Sequence, residues 1–454
     1  MKLVLTCHQF LPEHGSGTEI LTLETARDLR RRGHQVSIFT SCPPQRVAQH
    51  YFDHYQYDGF EVERFVPAVP KRRPPEGAET VAKAEYDCAL VKTHFSEYLQ
   101  RIRPDVVHFF HMMRLSASIV DACVELRIPT VFTPTDFWIV CPTCQLRLPD
   151  NSVCGGPDPD GVNCFRHVIK SYRPTKRLKP LRRLPRPMLA RMLRWLDRGG
   201  FRNSTTAQNT VAIYRRPRQL AQVMNKIDRL MIPSEKMAEV LLRNGLDPAR
   251  AQHSRYGIKI EQAASPKSTL NIPVTIGFIG TLAEHKGAHV LIEAFRGLAP
   301  HADIRLKLYG KLTDVPGYVQ MLRQLIGSDS RISFSGTFPN HEIGAVMNGL
   351  DALCVPSVWI ENTPLVIYSA FASGVPVIAT NLGGMAEVVE HGKTGLLFPT
   401  GDVTSLRQIL AEIVDRPQQL LDLSANIKPP KSITQYADEL CKVYQELTAT
   451  ACAT

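Results

Sequence analysis

Between Cys354 and Asp402 the chain runs twice from a short apolar strand through a polar loop into a helix, and those two loops hold the residues best suited to chemistry. The first loop, 357–363, contains a single carboxylate, Glu361, followed by Asn362 and Thr363. Pro364 then opens a helix, where its missing N–H does no harm. The second loop, Asn381-Leu382-Gly383-Gly384, leads into another helix at Met385. Loops that leave a strand's C-terminal end and face a helix N-terminus present backbone amides and the positive end of the helix dipole, which favours bound phosphate. The elements that must position them are readable from the apolar pattern: a buried strand at 351–355, a helix at 365–373 stopped by Gly374, and a second buried strand at 375–380.

The run Glu361-Asn362-Thr363-Pro364-Leu365-Val366-Ile367-Tyr368-Ser369-Ala370-Phe371, with Gly383-Gly384 before Glu387 and the segment Gly392 to Phe398, resembles the retaining glycosyltransferases of family 4. Their hallmark is a Glu followed after seven residues by a second Glu; here Glu361 is the first and Ser369 stands at the second. The resemblance implies the GT-B fold, an α/β architecture of two Rossmann-like, doubly wound domains facing across a cleft. Residues 1–258 would form the acceptor-side domain and 273–430 the domain that binds a nucleotide-diphosphate sugar. A last helix, 434–448, would pack back on the first domain. It further implies transfer of a hexose-type sugar, with retention of anomeric configuration, to a glycan or lipid-linked acceptor in polysaccharide or glycolipid biosynthesis.

The same resemblance assigns residues. Glu361 would sit at the donor sugar, and the stretch Asn362, Thr363, Pro364, Leu365 and Val366 would lie along sugar and diphosphate, as would Gly383 and Gly384. The second acid ordinarily takes both ribose hydroxyls, whereas Ser369 bonds one well. The segment Thr281-Leu282-Ala283-Glu284-His285-Lys286-Gly287 resembles the family's G-R-L-x-x-x-K-G turn, with Lys286 matching and Thr281 in place of Arg. Departure of a nucleotide diphosphate concentrates negative charge on the leaving oxygens, and a lysine with helix amides stabilises it without a metal. Catalysis in such enzymes requires no metal cofactor.

The first half reads as strand 2–7, a loop carrying Gly15 and Gly17, a helix 18–32 with apolar residues at helical spacing, and strand 35–40. By the same resemblance that loop would lie beside the donor diphosphate and the acceptor, its alternative being only the tight turn every such fold needs. Segments 104–111 and 129–136 read as strands with polar ends. The second resembles the family's T-x-H-D segment, with Thr135 at the His and Asp136 as the acceptor-side acid. His108 and His111 are equally readable as site residues or as ordinary strand-end histidines.

Four of the eleven cysteines, Cys141, Cys144, Cys154 and Cys164, fall within 24 residues. They could close a structural zinc site or hold an iron–sulfur cluster, carry redox or disulfide chemistry, or be inert thiols. From Arg166 to Arg218 there are sixteen Lys or Arg against one acid, Asp197, whereas the whole chain is only +11. Around Leu184–Asp197 the arginines interleave with Met188, Leu189, Met192, Leu193, Trp195 and Leu196. This is the composition of an anionic-membrane or lipid-diphosphate element, with a packed helix bearing a solvated basic face, or a nucleic-acid contact, as rivals. No nucleic-acid-binding motif accompanies it, so no nucleic acid is expected as a partner.

At 454 residues and 44% hydrophobic the chain can bury one core per half. No apolar run long enough to span a bilayer occurs, and residues 1–6 read as a strand rather than a signal-peptide core. The expected setting is the cytoplasm, peripheral on the inner face of the cell membrane. The substitutions at Thr135, Thr281 and Ser369 leave one rival of another class, a non-catalytic scaffold in a glycan assembly complex.

Overall fold

The computed structural model describes residues 1–69, 81–148, 152–171, 180–181, 183–200, 204–259 and 267–453. Parts of the basic segment (172–179, 182 and 201–203) and of the expected linker (260–266) lie outside them. The chain divides into two compact units: Met1–Arg255 with the C-terminal helix Ile433–Ala453, and Tyr256–Ser432.

The first unit is built on one sheet of β1 (Lys2–Cys7), β2 (Gln35–Ser41), β3 (Tyr51–Tyr57), β4 (Phe60–Val66), β5 (Val106–Phe109), β6 (Thr130–Phe132), β7 (Arg229–Ile232) and β8 (Ala251–His253). Their order is β3-β4-β2-β1-β5-β6-β7-β8, parallel everywhere except at the β3–β4 hairpin. Strands covered by helices on both faces must be apolar throughout, and Leu3 to Leu5 and Val106 to Val107 are fully buried accordingly. Parallel pairing also places the loops after β1, β5 and β6 at one end of the sheet. β5 and β6 are shorter than the sequence suggests. Beyond Phe109 the Phe110 and His111 amides turn to Thr6 O, and the polar residues that follow bond through side chains instead of a ladder.

The helix Gly17–Arg31 begins with a capping box, Ser16 N donating to Glu19 Oε2 at 2.8 Å. The C-terminal helix lies against this unit. Arg32 reaches Asp438 and the Thr434 carbonyl, and buried Tyr444 and Tyr436 hydroxyls meet His108 (2.6 Å) and Thr133 (2.9 Å). It continues past Thr448 to Ala453 because no Gly or Pro interrupts it.

The expectation of a metal at the cysteine cluster is not supported. No group of three or more His, Cys, Asp or Glu is placed to hold a metal among the described residues, and Cys141, Cys144, Cys154 and Cys164 are free thiols. The loop is held by hydrogen bonds instead. Cys154 N donates to Leu146 O at 2.6 Å, Val162 N to Asp158 Oδ1 at 2.9 Å, and Asn163 Nδ2 to Gly156 O at 2.7 Å. Burial pushes the Cys144 and Cys154 thiols up, and Cys164 to about 12.

In the basic segment, the helix Arg186–Asp197 buries Leu189, Ala190 and Leu193 against Val162, Phe165, Ile169, Ile213 and Tyr214. Its opposite face exposes Met188 (56%) and Trp195 (52%) among exposed Arg183, Arg191, Arg194 and Arg198.

The second unit is a parallel sheet of β9 (Val274–Ile279), β10 (Ile304–Tyr309), β11 (Ile332–Gly336), β12 (Ala352–Val355), β13 (Val377–Thr380) and β14 (Gly395–Phe398), ordered β11-β10-β9-β12-β13-β14. Ile276, Phe278, Leu306 and Leu308 pack with Leu291, Phe295 and Leu322 in one apolar core. Fully buried Asp351 ties the entering chain to this sheet, accepting from Thr275 N at 2.7 Å, Asn271 Nδ2 at 2.9 Å and Lys267 Nζ at 2.9 Å. No helix among the described residues is long and apolar enough to cross a membrane.

Candidate active site

Three loops at the C-terminal ends of β9, β12 and β13 lock together within the second unit. The turn after β9 carries Lys286 and Gly287, whose φ of +75° suits glycine. A Cβ there would lie 1.8 Å from Pro356 O, so only glycine lets this turn seat against the loop after β12. Val358 N closes the contact by donating to His285 O at 2.9 Å. From the other side Gly384 N donates to Glu361 O at 2.9 Å, and a Cβ on Gly384 would come within 1.4 Å of Asn362 O.

Glu361 is the hub. It is only 6% exposed, and its Oε1 accepts from Lys286 Nζ at 2.5 Å, Ser357 Oγ at 2.9 Å and Trp359 Nε1 at 2.7 Å. The Trp359 ring also lies 5.3 Å from the Lys286 ammonium, a cation–π contact. Asn362 Nδ2 donates to Tyr256 Oη at 2.7 Å, and Thr363 Oγ1 to Asn362 O at 2.6 Å. Pro364 caps the helix Leu365–Ala372, which directs the amides of Leu365 and Val366 out of its N-terminus. Ser369 Oγ donates back to Leu365 O at 3.2 Å. Thr281 is exposed at the start of the Lys286 turn.

The site therefore brings Lys286, Glu361, Asn362, Thr363 and the start of the helix Leu365–Ala372 together. Gly383 and Gly384 both pack closely on the loop after β12, and the Gly384 amide donates to Glu361 O. Ser357, Trp359 and Tyr256 were not anticipated.

The other expected site residues belong to the first unit. Gly15 and Gly17 flank Ser16 before the first helix, and Thr18 Oγ1 donates to Thr135 Oγ1 at 2.9 Å. Asp136 is engaged through both oxygens, by His111 Nε2 at 2.9 Å and Trp138 N at 2.7 Å. His108 is a buried structural residue, held neutral by burial that lowers its pKa to about 3, whereas His111 belongs to the Asp136 cluster.

Two family models match the chain: Glycosyl transferase 4-like domain over residues 16–256 and Glycosyl transferases group 1 over residues 262–429. The chain belongs to glycosyltransferase family 4. Among relatives of this family, WcaL of Salmonella typhimurium, named for colanic acid biosynthesis, is 32% identical over 195 residues, covering 40% of this chain and 47% of its own. A D-inositol 3-phosphate glycosyltransferase of Corynebacterium efficiens is 27% identical over 252 residues, covering 51% and 59%. The chain thus spans about half the length of the curated relatives it matches. Among solved structures, Anabaena HepE in complex with UDP and glucose superposes with a TM-score of 0.65 at 17% identity, covering 98% of this chain and 99% of HepE. Sucrose-phosphate synthase from Thermosynechococcus elongatus gives 0.66 at 15%, covering 99% of each. The two parallel-sheet α/β units are those of the GT-B fold.

Proposed function

We propose that this family 4 enzyme transfers a hexose-type sugar from a nucleotide-diphosphate sugar, with retention of anomeric configuration, to a glycan or lipid-linked acceptor. The observation that carries the reading is the Lys286–Glu361 pair beside the N-terminus of the helix Leu365–Ala372. A phosphate set there meets one ammonium and two outward amides, the arrangement that stabilises charge developing on a leaving diphosphate. Glu361, fixed by three donors, faces the donor sugar. As the anomeric carbon–oxygen bond breaks, its electron pair goes to the departing phosphate. That phosphate takes the proton of the attacking acceptor hydroxyl on the same face, so no separate base is required. The sugar donor belongs to the second unit and the acceptor to the first, with Asp136 on the acceptor side. WcaL and HepE, through their names and bound ligands, support a nucleotide-sugar donor and a role in polysaccharide assembly.

We infer also that the exposed face of Arg186–Asp197 rests on an anionic membrane surface, as Met188 and Trp195 among four exposed arginines suit lipid headgroups. A scaffold reading rests on Ser369, which stands where the family motif has a second acid and whose hydroxyl donates to Leu365 O of its own helix. The deciding experiment screens nucleotide sugars with glycan and lipid-linked acceptors and follows the new linkage by NMR. A product with the donor's anomeric configuration is expected. An inverted product would overturn retention, and absence of transfer or hydrolysis across the panel would favour the scaffold.

A further inference from the structure

At the C-terminal end of β12 a single indole meets both charged groups of the site. Trp359 Nε1 donates to Glu361 Oε1 at 2.7 Å, and the Lys286 ammonium lies 5.3 Å from the centroid of its ring. The half-buried indole is itself held from several sides. One residue earlier, Val358 N donates to His285 O at 2.9 Å. One residue later, buried Ile360 packs so closely on Gly383 that a Cβ there would come within 2.8 Å of its Cγ2. The His285 ring meets the indole in an edge-to-face arrangement, with centroids 5.5 Å apart and planes at 88°. A ring anchored in this way can set the place of its neighbours.

Lys286 needs such a neighbour. Its side chain is 26% exposed, and a lysine carries its ammonium on a flexible four-carbon stem. With Glu361 alone, two demands would conflict. An ammonium drawn to an arriving phosphate would leave the carboxylate, and the buried carboxylate would lose its counter-charge. Trp359 eases the conflict from both sides. Its ring face attracts the ammonium without occupying any of the three N–H donors, so Lys286 can bond Glu361 and a phosphate together. Its own N–H is a neutral donor that stays on Glu361 Oε1 while the ammonium turns. Phenylalanine would supply the ring face without the N–H, and leucine neither.

We propose that Trp359 is the positioning residue of this donor site: its N–H fixes Glu361 and its ring face fixes Lys286, so both charges keep their places when a diphosphate draws on the ammonium. The proposal rests on the transfer reading and adds the side chain that readies its two charged residues.

Indole N–H NMR and kinetics on the full chain test it. The chain has three tryptophans, so Trp359→Phe identifies the Trp359 signal by its loss. A hydrogen bond to a carboxylate holds that proton downfield, and Glu361→Gln should move it upfield. For transfer from whichever nucleotide sugar is active, kcat is referred to sites counted by UDP binding, so that misfolded protein does not enter. Trp359→Phe should then lower kcat about tenfold, equivalent to about 1.4 kcal/mol, and Trp359→Leu about a hundredfold. KM for the donor should change less than twofold, because the lost contacts matter as charge develops. A side chain that merely fills space would leave Trp359→Phe near wild type. An indole signal indifferent to Glu361→Gln overturns the proposal, as does wild-type kcat in Trp359→Phe or an equal loss in the Phe and Leu variants. Absence of transfer by the wild type would count against the transfer reading alone, and the indole signal would still decide whether Trp359 holds Glu361.

Discussion

One carboxylate oxygen, Glu361 Oε1, receives an ammonium, a hydroxyl and an indole N–H. Such convergence holds the acid in one place before any ligand arrives, which is what electrostatic preorganisation demands. If Lys286 stabilises the departing diphosphate, Lys286→Ala should lower kcat by about 10²-fold, equivalent to roughly 2.7 kcal/mol, and should also lower Tm because it leaves buried Glu361 without its counter-charge. Glu361→Ala should lower kcat likewise through the sugar. Thr135→Ala removes only a hydroxyl that bonds Thr18 and the Phe110 carbonyl, so its effect on turnover should be small. Steady-state kinetics and thermal melts on the three variants check this. Near-wild-type turnover by both Lys286→Ala and Glu361→Ala would place the site elsewhere. The hub itself was only half legible. Glu361 and Lys286 were legible because the motifs that carry them resemble those of family 4, but nothing in the spacing tied Ser357, Trp359 or Tyr256 to them. Those contacts depend on how three distant loops dock.

At the scale of elements, the strand–loop–helix units around the site were readable because parallel strands buried on both faces leave uninterrupted apolar runs. What the pattern could not show is which amides remain outward. Gly383-Gly384 read as a phosphate cradle, yet the Gly384 N–H is engaged by Glu361 O and the glycine's role is contact. Gly384→Ala should therefore destabilise the second unit by about 3 kcal/mol, since its Cβ meets backbone rather than a movable side chain. Gly344→Ala, in the helix Ile343–Asn348 with nothing within 4 Å of an added Cβ, should instead stabilise by about 0.4–1 kcal/mol. Urea titrations of the two variants make the comparison. Equal stability would mean the Glu361–Gly384 packing is looser than described. The cysteine cluster shows the opposite limit of sequence reading. Spacing alone suggested ligands, whereas the Asp158–Asn163 hydrogen bonds that hold the loop involve residues too common to signal anything.

Over the whole molecule, charge is unevenly placed. The +11 of the chain is exceeded by the excess of basic residues between Arg166 and Arg218 alone, and the helix 186–197 shows how part of it is used. Arg186 and Arg194 are partly neutralised by Asp158 and Asp160 at 3.1–3.9 Å. Arg191 and Arg198, which flank exposed Met188 and Trp195, make no ion pair among the described residues. If that face meets an anionic bilayer, co-sedimentation with phosphatidylglycerol-containing vesicles should fall as salt shortens the Debye length from about 10 Å at 0.1 M towards about 3 Å at 1 M. Met188→Ser with Trp195→Ser should reduce binding by removing apolar area, and Arg191→Glu with Arg198→Glu should reduce it more steeply at low salt. All four positions are exposed, so folding and transfer to a water-soluble acceptor should persist. Undiminished vesicle binding by both double variants, or equal binding to uncharged vesicles, would show that this face is simply a solvated helix surface.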